Sequence, residues 1–240
     1  MRASAALSAW EAAVDVRGHA RALALLPPEA DGQDGVSLGT RDAALLRLYR
    51  DLRGPQLDAL AECPVCGTTL EVHLAIDDLV DGYPARHGAA GTRSIDLGTA
   101  VAEVRLPTTE DLMAAAEEDQ PRLAREILIG RCVGPVRRHG GASDSVRDSA
   151  ALTEEELALL GARLEELDPL VDVRVDIHCE ECGTAWDALL DVPELVWDQV
   201  RGVARRLLRE VDSLATRYGW SESEILALSE RRRRAYLDLT

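Results

Sequence analysis

The period of the apolar positions changes several times along the chain, and each change marks an element. Residues 4–25 carry Ala and Leu at helical spacing and stop at Pro27-Pro28. Residues 27–39 are rich in Pro, Gly and Asp and read as a linker. With Thr40 as its cap, a helix then runs to Arg53 and puts Leu45, Leu46, Tyr49 and Leu52 on one face. A short helix is expected from Pro55. From Thr69 to Ile76 the period drops to two, with Leu70, Val72, Leu74 and Ile76 alternating with Glu71, His73 and Ala75. Val171–Ile177 alternates just as strictly, and Thr184–Leu190 fits an extended segment.

Between these strands, residues 80–99 are Gly-rich and irregular, and Val101–Leu106 reads as a strand. Helices are expected after Thr108 or Thr109 and from Pro121 to about Val133, with acids in the first turn of the former, where the helix dipole favours them. Residues 134–150 have little apolar content and read as a mobile loop. Thr153 and Glu156 form a capping box before a helix whose Leu157, Leu160, Leu164 and Leu167 make one stripe, ending at Asp168-Pro169. Pro193 opens a long helix to Arg217 that Gly219 ends. Ser221 with Glu224 and then Ser229 cap two short helices, with Trp220, Ile225, Leu226, Tyr236 and Leu237 available for their core.

The cysteines give this pattern its chemistry. Four of the five fall in two pairs, Cys63-Pro-Val-Cys66-Gly67 and Cys179-Glu-Glu-Cys182-Gly183. Each pair offers two thiolates from one turn, and four thiolates close the tetrahedral shell of a structural Zn²⁺ with no open position. The Gly after each second Cys suits a turn that needs positive φ. One structural Zn²⁺ on Cys63, Cys66, Cys179 and Cys182 is therefore expected. A rubredoxin-like iron site uses the same ligands, and the spacing does not separate the two. A thioredoxin-like redox pair needs one CxxC at the start of a helix, whereas strand patterns follow both of these. A disulfide framework suits small secreted chains. Cys132 stands alone in a helical stretch and reads as a small buried hydrophobe. His73 and His178 flank the pairs but are not needed as ligands.

The charge narrows the range of partners. The 240 residues carry a net charge of −16, with no Lys and no Phe. An acidic chain is a poor general binder of nucleic acid or of an anionic membrane, so neither is expected as a partner. The run Arg231–Arg234 points in all directions from a helix and reads as a solvated surface. No apolar run reaches the length of about 18 residues that a spanning helix requires. Glu11 and Asp15 interrupt the N-terminal stretch too early for a signal peptide, so the expected location is the cytoplasm.

Catalytic patterns are not found. A GxxxxGK[ST] loop is impossible without Lys, and there is no GxGxxG, HExxH or GxSxG. Glu180 and Glu181 lie between two ligands and are expected to be exposed. A closed four-thiolate site does not activate water, so the chain reads as a binding or assembly protein and not an enzyme.

The C-terminal segment 215–239 is more distinctive. A helix ends in Tyr218-Gly219-Trp220, a capped acidic helix follows with Glu224 and Ile225, then Leu228-Ser229, then a basic helix with Arg232 that ends in Tyr236-Leu237. This resembles the C-terminal signature of the phage-type, T-even-like baseplate hub assembly chaperone family, found in contractile-tailed phages and related bacterial contractile injection systems. The resemblance is best over about residues 193–239, and a helix leading into a CPxCG turn extends it weakly over 40–76. It implies a factor that builds the hub or baseplate of a contractile tail, with baseplate or hub proteins as its partners. Tyr218, Trp220, Arg232 and Tyr236 are candidate partner contacts, since aromatics and Arg are favoured interface anchors. Equally, Trp220 and Tyr236 can simply pack the helical end.

The expected architecture is α+β and mostly helical. It is a discontinuous zinc ribbon, two CxxC knuckles with short strands, that carries a long helical insertion and a C-terminal helical end. Residues 1–39 form an N-terminal helical segment and linker, 40–78 a helix and the first knuckle half, and 79–170 the insertion. Residues 171–192 form the second knuckle half and 193–240 the C-terminal helices. The expected function is a non-enzymatic assembly factor or baseplate-associated protein of a contractile injection system. The alternative is a cytosolic zinc-ribbon adaptor for another multiprotein complex.

Overall fold

The computed structural model describes residues 3–26, 35–83, 91–139 and 152–239. The fold is α+β, with helices dominating and three small antiparallel sheets. The helices are α1 (Ala3–Ala13), α2 (Ala20–Ala24), α3 (Leu38–Arg53), α4 (Ile76–Val80), α5 (Thr109–Ala116), α6 (Pro121–Cys132), α7 (Glu154–Leu167), α8 (Val192–Tyr218), α9 (Glu222–Ala227) and α10 (Glu230–Leu237). The strands are β1 (Gln56–Glu62), β2 (Thr69–Ala75), β3 (Arg93–Asp96), β4 (Ala100–Val104), β5 (Val133–Arg138), β6 (Arg174–His178) and β7 (Ala185–Leu189). Among the described residues no helix is long and apolar enough to cross a membrane.

One core gathers segments from both ends of the chain. Leu45, Leu46 and Tyr49 of α3 pack with Leu57 of β1 and Ile76 of α4. They also meet Val173, just before β6, and Val192, Val196, Trp197 and Val200 of α8. This core grips the open ends of two hairpins, β1–β2 and β6–β7, and leaves their turns projecting. A second core lies within the intervening stretch. There β3, β4 and β5 form an antiparallel sheet whose Ile95, Ala102, Val104 and Val136 pack against Leu160 of α7. Glu156 ties α7 to this sheet. It accepts hydrogen bonds from the Thr99 hydroxyl, the Arg138 guanidinium and the Thr153 backbone N–H. A third small core joins Ala6 and Leu7 of α1 to Val203, Ala204 and Leu207 of α8.

Several expectations need correction. The stretch after Pro55 is not a helix. Gly54, at φ 105°, redirects the chain out of α3, and Gln56–Glu62 pairs along its whole length with β2. Leu57, Ala59 and Ala61 face inward in alternation, a strand period that small Ala side chains disguise. The N-terminal helical stretch is two helices, broken at Gly18 with φ 60°. The cap of α3 is Ser37 rather than Thr40, and its hydroxyl accepts the Thr40 N–H. This early start serves packing, because the Gly39 N–H reaches buried Asp168 at 3.0 Å. A Cβ at Gly39 would lie 2.0 Å from that carboxylate, so only Gly fits. Residues 93–96, inside the supposedly irregular 80–99, form β3, and 133–138, at the start of the supposed loop, form β5. Much of the linker 27–39, some of 80–99 and most of 134–150 lie outside the described residues. In the expected Leu stripe of α7, Leu160 alone is buried and Leu167 is exposed.

The run Arg231–Arg234 is not wholly solvated. Arg231, Arg232 and Arg234 are exposed, but Arg233 turns inward. Its Nε donates to Glu210 of α8 at 2.7 Å and its Nη1 to the Leu228 carbonyl at 2.7 Å. Both partners of the ion pair are buried, so the pair fixes the position of α10 on α8. Glu210→Gln keeps the shape but removes the charge that balances Arg233. It is expected to destabilise the protein by about 2 kcal/mol. Urea unfolding measures this, and limited proteolysis should find its first new cut in residues 219–239.

Candidate metal centre

Each projecting turn is a six-residue segment with the same sequence skeleton, Cys-x-x-Cys-Gly-Thr. In the first, the Cys63 N–H donates to the Thr68 carbonyl at 2.9 Å and the Gly67 N–H to the Cys63 carbonyl at 2.9 Å. In the second, Cys179 N–H to Thr184 O and Gly183 N–H to Cys179 O are both 2.8 Å. Gly67 and Gly183 share a φ of 72°, which side-chain-bearing residues rarely adopt. The register of each hairpin brings its strands to the base of the turn, Glu62 opposite Thr69 and His178 opposite Ala185.

The two turns meet sulfur to sulfur. Cys63 Sγ lies 3.5 Å from Cys182 Sγ, and Cys66 Sγ lies 3.6 Å from Cys179 Sγ. All four sulfurs lie within 4.8 Å of one another, and none is in a disulfide. Four thiolates at about 2.3 Å from one tetrahedral ion sit about 3.8 Å apart, so the cluster fits a single ion. Cys63 and Cys179 are buried, while Cys66 and Cys182 are exposed. Among the described residues this is the one group of three or more potential ligands. The four cysteines can therefore hold a metal ion.

Thr68 and Thr184 complete the arrangement. Their hydroxyls lie 3.2 Å from Cys66 Sγ and Cys182 Sγ. A hydroxyl that donates to sulfur favours the thiolate. The Thr68 hydroxyl and backbone thus hold the Cys66 thiol down to about 6, and Thr184 lowers Cys182 in the same way. Sequence reading missed both threonines. The repeat of Thr after each Cys-Gly was the signal that could have found them.

The other candidates fall away from the cluster. His73 Nδ1 lies 2.8 Å from Asp58 on the exposed face of β1–β2. His178, Glu180 and Glu181 are exposed, the glutamates as expected. Cys132 is buried elsewhere, with its Sγ 3.7 Å from Asp111. Burial, then the Asp111 charge, push its thiol up to about 11, which keeps it protonated and inert. Cys132→Ser is expected to leave the metal content per chain unchanged, as elemental analysis of the purified variant would measure.

Among the C-terminal helices, Tyr218, Trp220 and Tyr236 come together. Tyr218 stacks on Trp220 at 4.8 Å, and Tyr236 meets the edges of both at 5.7 and 4.9 Å. Each ring is partly exposed, so the rings both pack the helical end and remain accessible. Gly219, at φ 69°, makes the turn that folds Trp220 back on Tyr218. Arg232 is exposed, and it is Arg217 that lies over the Tyr218 ring, at 5.6 Å.

No protein-family model matches the chain, and no curated protein or solved structure matches it either.

Proposed function

We propose that the chain is a non-enzymatic assembly factor or baseplate-associated protein of a phage-tail-like contractile injection system, built on a zinc ribbon. The observation that carries the ribbon reading is the four-sulfur cluster formed by two hairpin turns of matching geometry. Zn²⁺ suits a shell of four thiolates with no position left for substrate or water, and its contribution is to folding. Cys63, Cys66, Cys179 and Cys182 are the ligands, and Thr68 and Thr184 favour the thiolate form of Cys66 and Cys182. The knuckles join residues more than a hundred positions apart. They thereby lock the first half of the ribbon to the second and leave the aromatic end free to meet a partner.

The assembly role rests on the resemblance of residues 215–239 to baseplate hub assembly chaperones. The accessible cluster of Tyr218, Trp220 and Tyr236 supports it, because large rigid aromatics give contact area at small entropic cost. Exposed Arg232, on the neighbouring helix, adds a cationic contact. A net charge of −16 suits a protein that keeps a sticky subunit soluble until it is placed.

The test is to tag the chain in its own host, fractionate the lysate by sedimentation and identify what travels with it. Co-sedimentation with sheath and tube proteins places it in the particle. A soluble complex with one baseplate or hub subunit makes it a chaperone that leaves before completion. Contact with neither overturns the assembly reading in favour of a zinc-ribbon adaptor for another complex. If one tail protein is found, Trp220→Ala is expected to weaken that complex about tenfold or more while leaving the metal content intact.

A further inference from the structure

The sulfur contacts carry a consequence for oxidation. Each contacting pair joins one hairpin to the other, Cys63 with Cys182 and Cys66 with Cys179. Each pair also joins an exposed sulfur to a buried one. Cys182 and Cys66 meet solvent, while Cys63 and Cys179 are 2% and 0% exposed. An oxidant thus reaches one member of each pair, and the other waits behind it in van der Waals contact. We propose that an oxidant of the peroxide class converts the cluster into two reversible disulfides that bridge the hairpins, Cys63–Cys182 and Cys66–Cys179. The clamp then survives loss of the metal.

The chemistry balances without a further reactant. The exposed thiolate attacks one oxygen of the peroxide, the O–O bond breaks, and hydroxide leaves, giving a sulfenic acid. The buried thiolate attacks that sulfur, the S–O bond breaks, a second hydroxide leaves, and the S–S bond forms. With two protons the sum is two thiolates and one hydrogen peroxide going to one disulfide and two waters. Two such events consume all four ligands and release the ion unchanged in oxidation state. Closing each bond draws the sulfurs together by about 1.5 Å, which rotation of two side chains can share.

The alternative pairing lies within each turn, Cys63 with Cys66 and Cys179 with Cys182. In an unfolded chain it would dominate, because closing a loop of a few residues costs far less entropy than closing one of more than a hundred. In the folded chain that long-range cost has already been met by the core that grips both hairpin bases. The turns are moreover held in shape by their own backbone hydrogen bonds.

The release of metal rests on the zinc reading, but the pairing rests only on the sulfur contacts, so the experiment separates the two. The full chain is loaded with Zn²⁺, titrated with hydrogen peroxide and alkylated, then digested without reduction for mass spectrometry, while a chromophoric chelator follows the metal. The expected result is a fall from five free thiols to one (Cys132) and one ion released for every two disulfides. Peptides containing 63 and 66 should be joined to those containing 179 and 182, and dithiothreitol should reverse all of it. The same treatment in denaturant should switch the product to disulfides within each turn. The double variant Cys66→Ser/Cys179→Ser isolates Cys63 and Cys182 and, with the hairpin bases still held by the core, should form its bridge more slowly than the wild type because no metal holds the tips. Within-turn disulfides in the native wild-type chain, or irreversible oxidation to sulfinic acid, would overturn the proposal. Cross-hairpin disulfides from a chain that takes up no Zn²⁺ on loading would confirm the pairing and sink the zinc reading alone.

Discussion

Chelation of the metal is expected to lower the melting temperature by about 10 °C or more, and Cys63→Ser to do the same without chelator. The unfolded chain has no preformed site, so the free energy of metal binding appears as folding free energy. At free Zn²⁺ a thousandfold above Kd this linkage is worth about 4 kcal/mol. For a chain of this size each kcal/mol moves the midpoint by roughly 2–4 °C. The hairpin bases keep their own apolar anchors, Leu57 and Ile76 on one side and Val173 and Val192 on the other. The apo chain is therefore expected to lose its hairpin tips before its core. Protection of the Cys63 and Cys179 backbone amides against hydrogen exchange should collapse, while that of α8 persists. The effect is also pH-dependent with a definite sign. Binding requires thiolates, and while the Cys66 thiol is held down to about 6, that of Cys179 is pushed up to about 11, so affinity should fall as pH drops across this whole range and more steeply below about 6. Calorimetry across pH 5–8, with metal content measured alongside, checks both. A melting temperature indifferent to chelator and to Cys63→Ser would remove the structural role of the cluster.

The cluster itself was the most legible part of the sequence, because CxxCG twice with alternating strands beside it leaves few ways to arrange the chain. The capping residues Thr153, Ser221 and Ser229 were legible for a similar reason, as was Thr108 as one of two neighbouring candidates. Each acts within three residues of itself, so local sequence contains the whole interaction. What was lost depends on distant partners. Asp168 determines that α3 must start early and carry Gly39, from more than a hundred residues away. Glu210 decides that one arginine of four is buried. The strand after Pro55 was hidden by Ala59 and Ala61, which are too small to show a period and take their side from pairing with β2. The matching Thr68 and Thr184 were in plain view but mean something only once each hydroxyl is seen beside a sulfur.

Asp111→Ala is expected to destabilise the protein by about 3 kcal/mol or more while leaving the metal content untouched. Asp111 sits at the third position of α5 with its side chain entirely buried. Burial alone would push its carboxyl up. Arg105 opposes this with two bonds of 2.6 and 2.7 Å, the Thr108 N–H with one of 2.9 Å and Arg131 with one of 2.8 Å. The Thr108 hydroxyl adds another at 3.0 Å. Together these hold the carboxyl far below the ordinary carboxylate range. One side chain thereby caps α5, ties it to α6 through Arg131, and tethers both to the end of β4 through Arg105. Truncation leaves two guanidiniums facing each other without a counter-charge and an N–H without an acceptor. Both arginines keep some access to water, which places the cost at the lower end of the range for broken buried pairs. Because the folded carboxyl titrates below the unfolded one, the stabilisation is complete above about pH 4. It is lost as pH falls towards the folded value. The gap between wild type and Asp111→Ala in urea midpoint should therefore stay constant from pH 5 to 7 and narrow under acid. Glu110→Ala, one residue away and exposed, should change the stability by less than about 0.5 kcal/mol. Equal effects of the two substitutions, or a gap that widens in acid, would show that Asp111 does not hold these helices together.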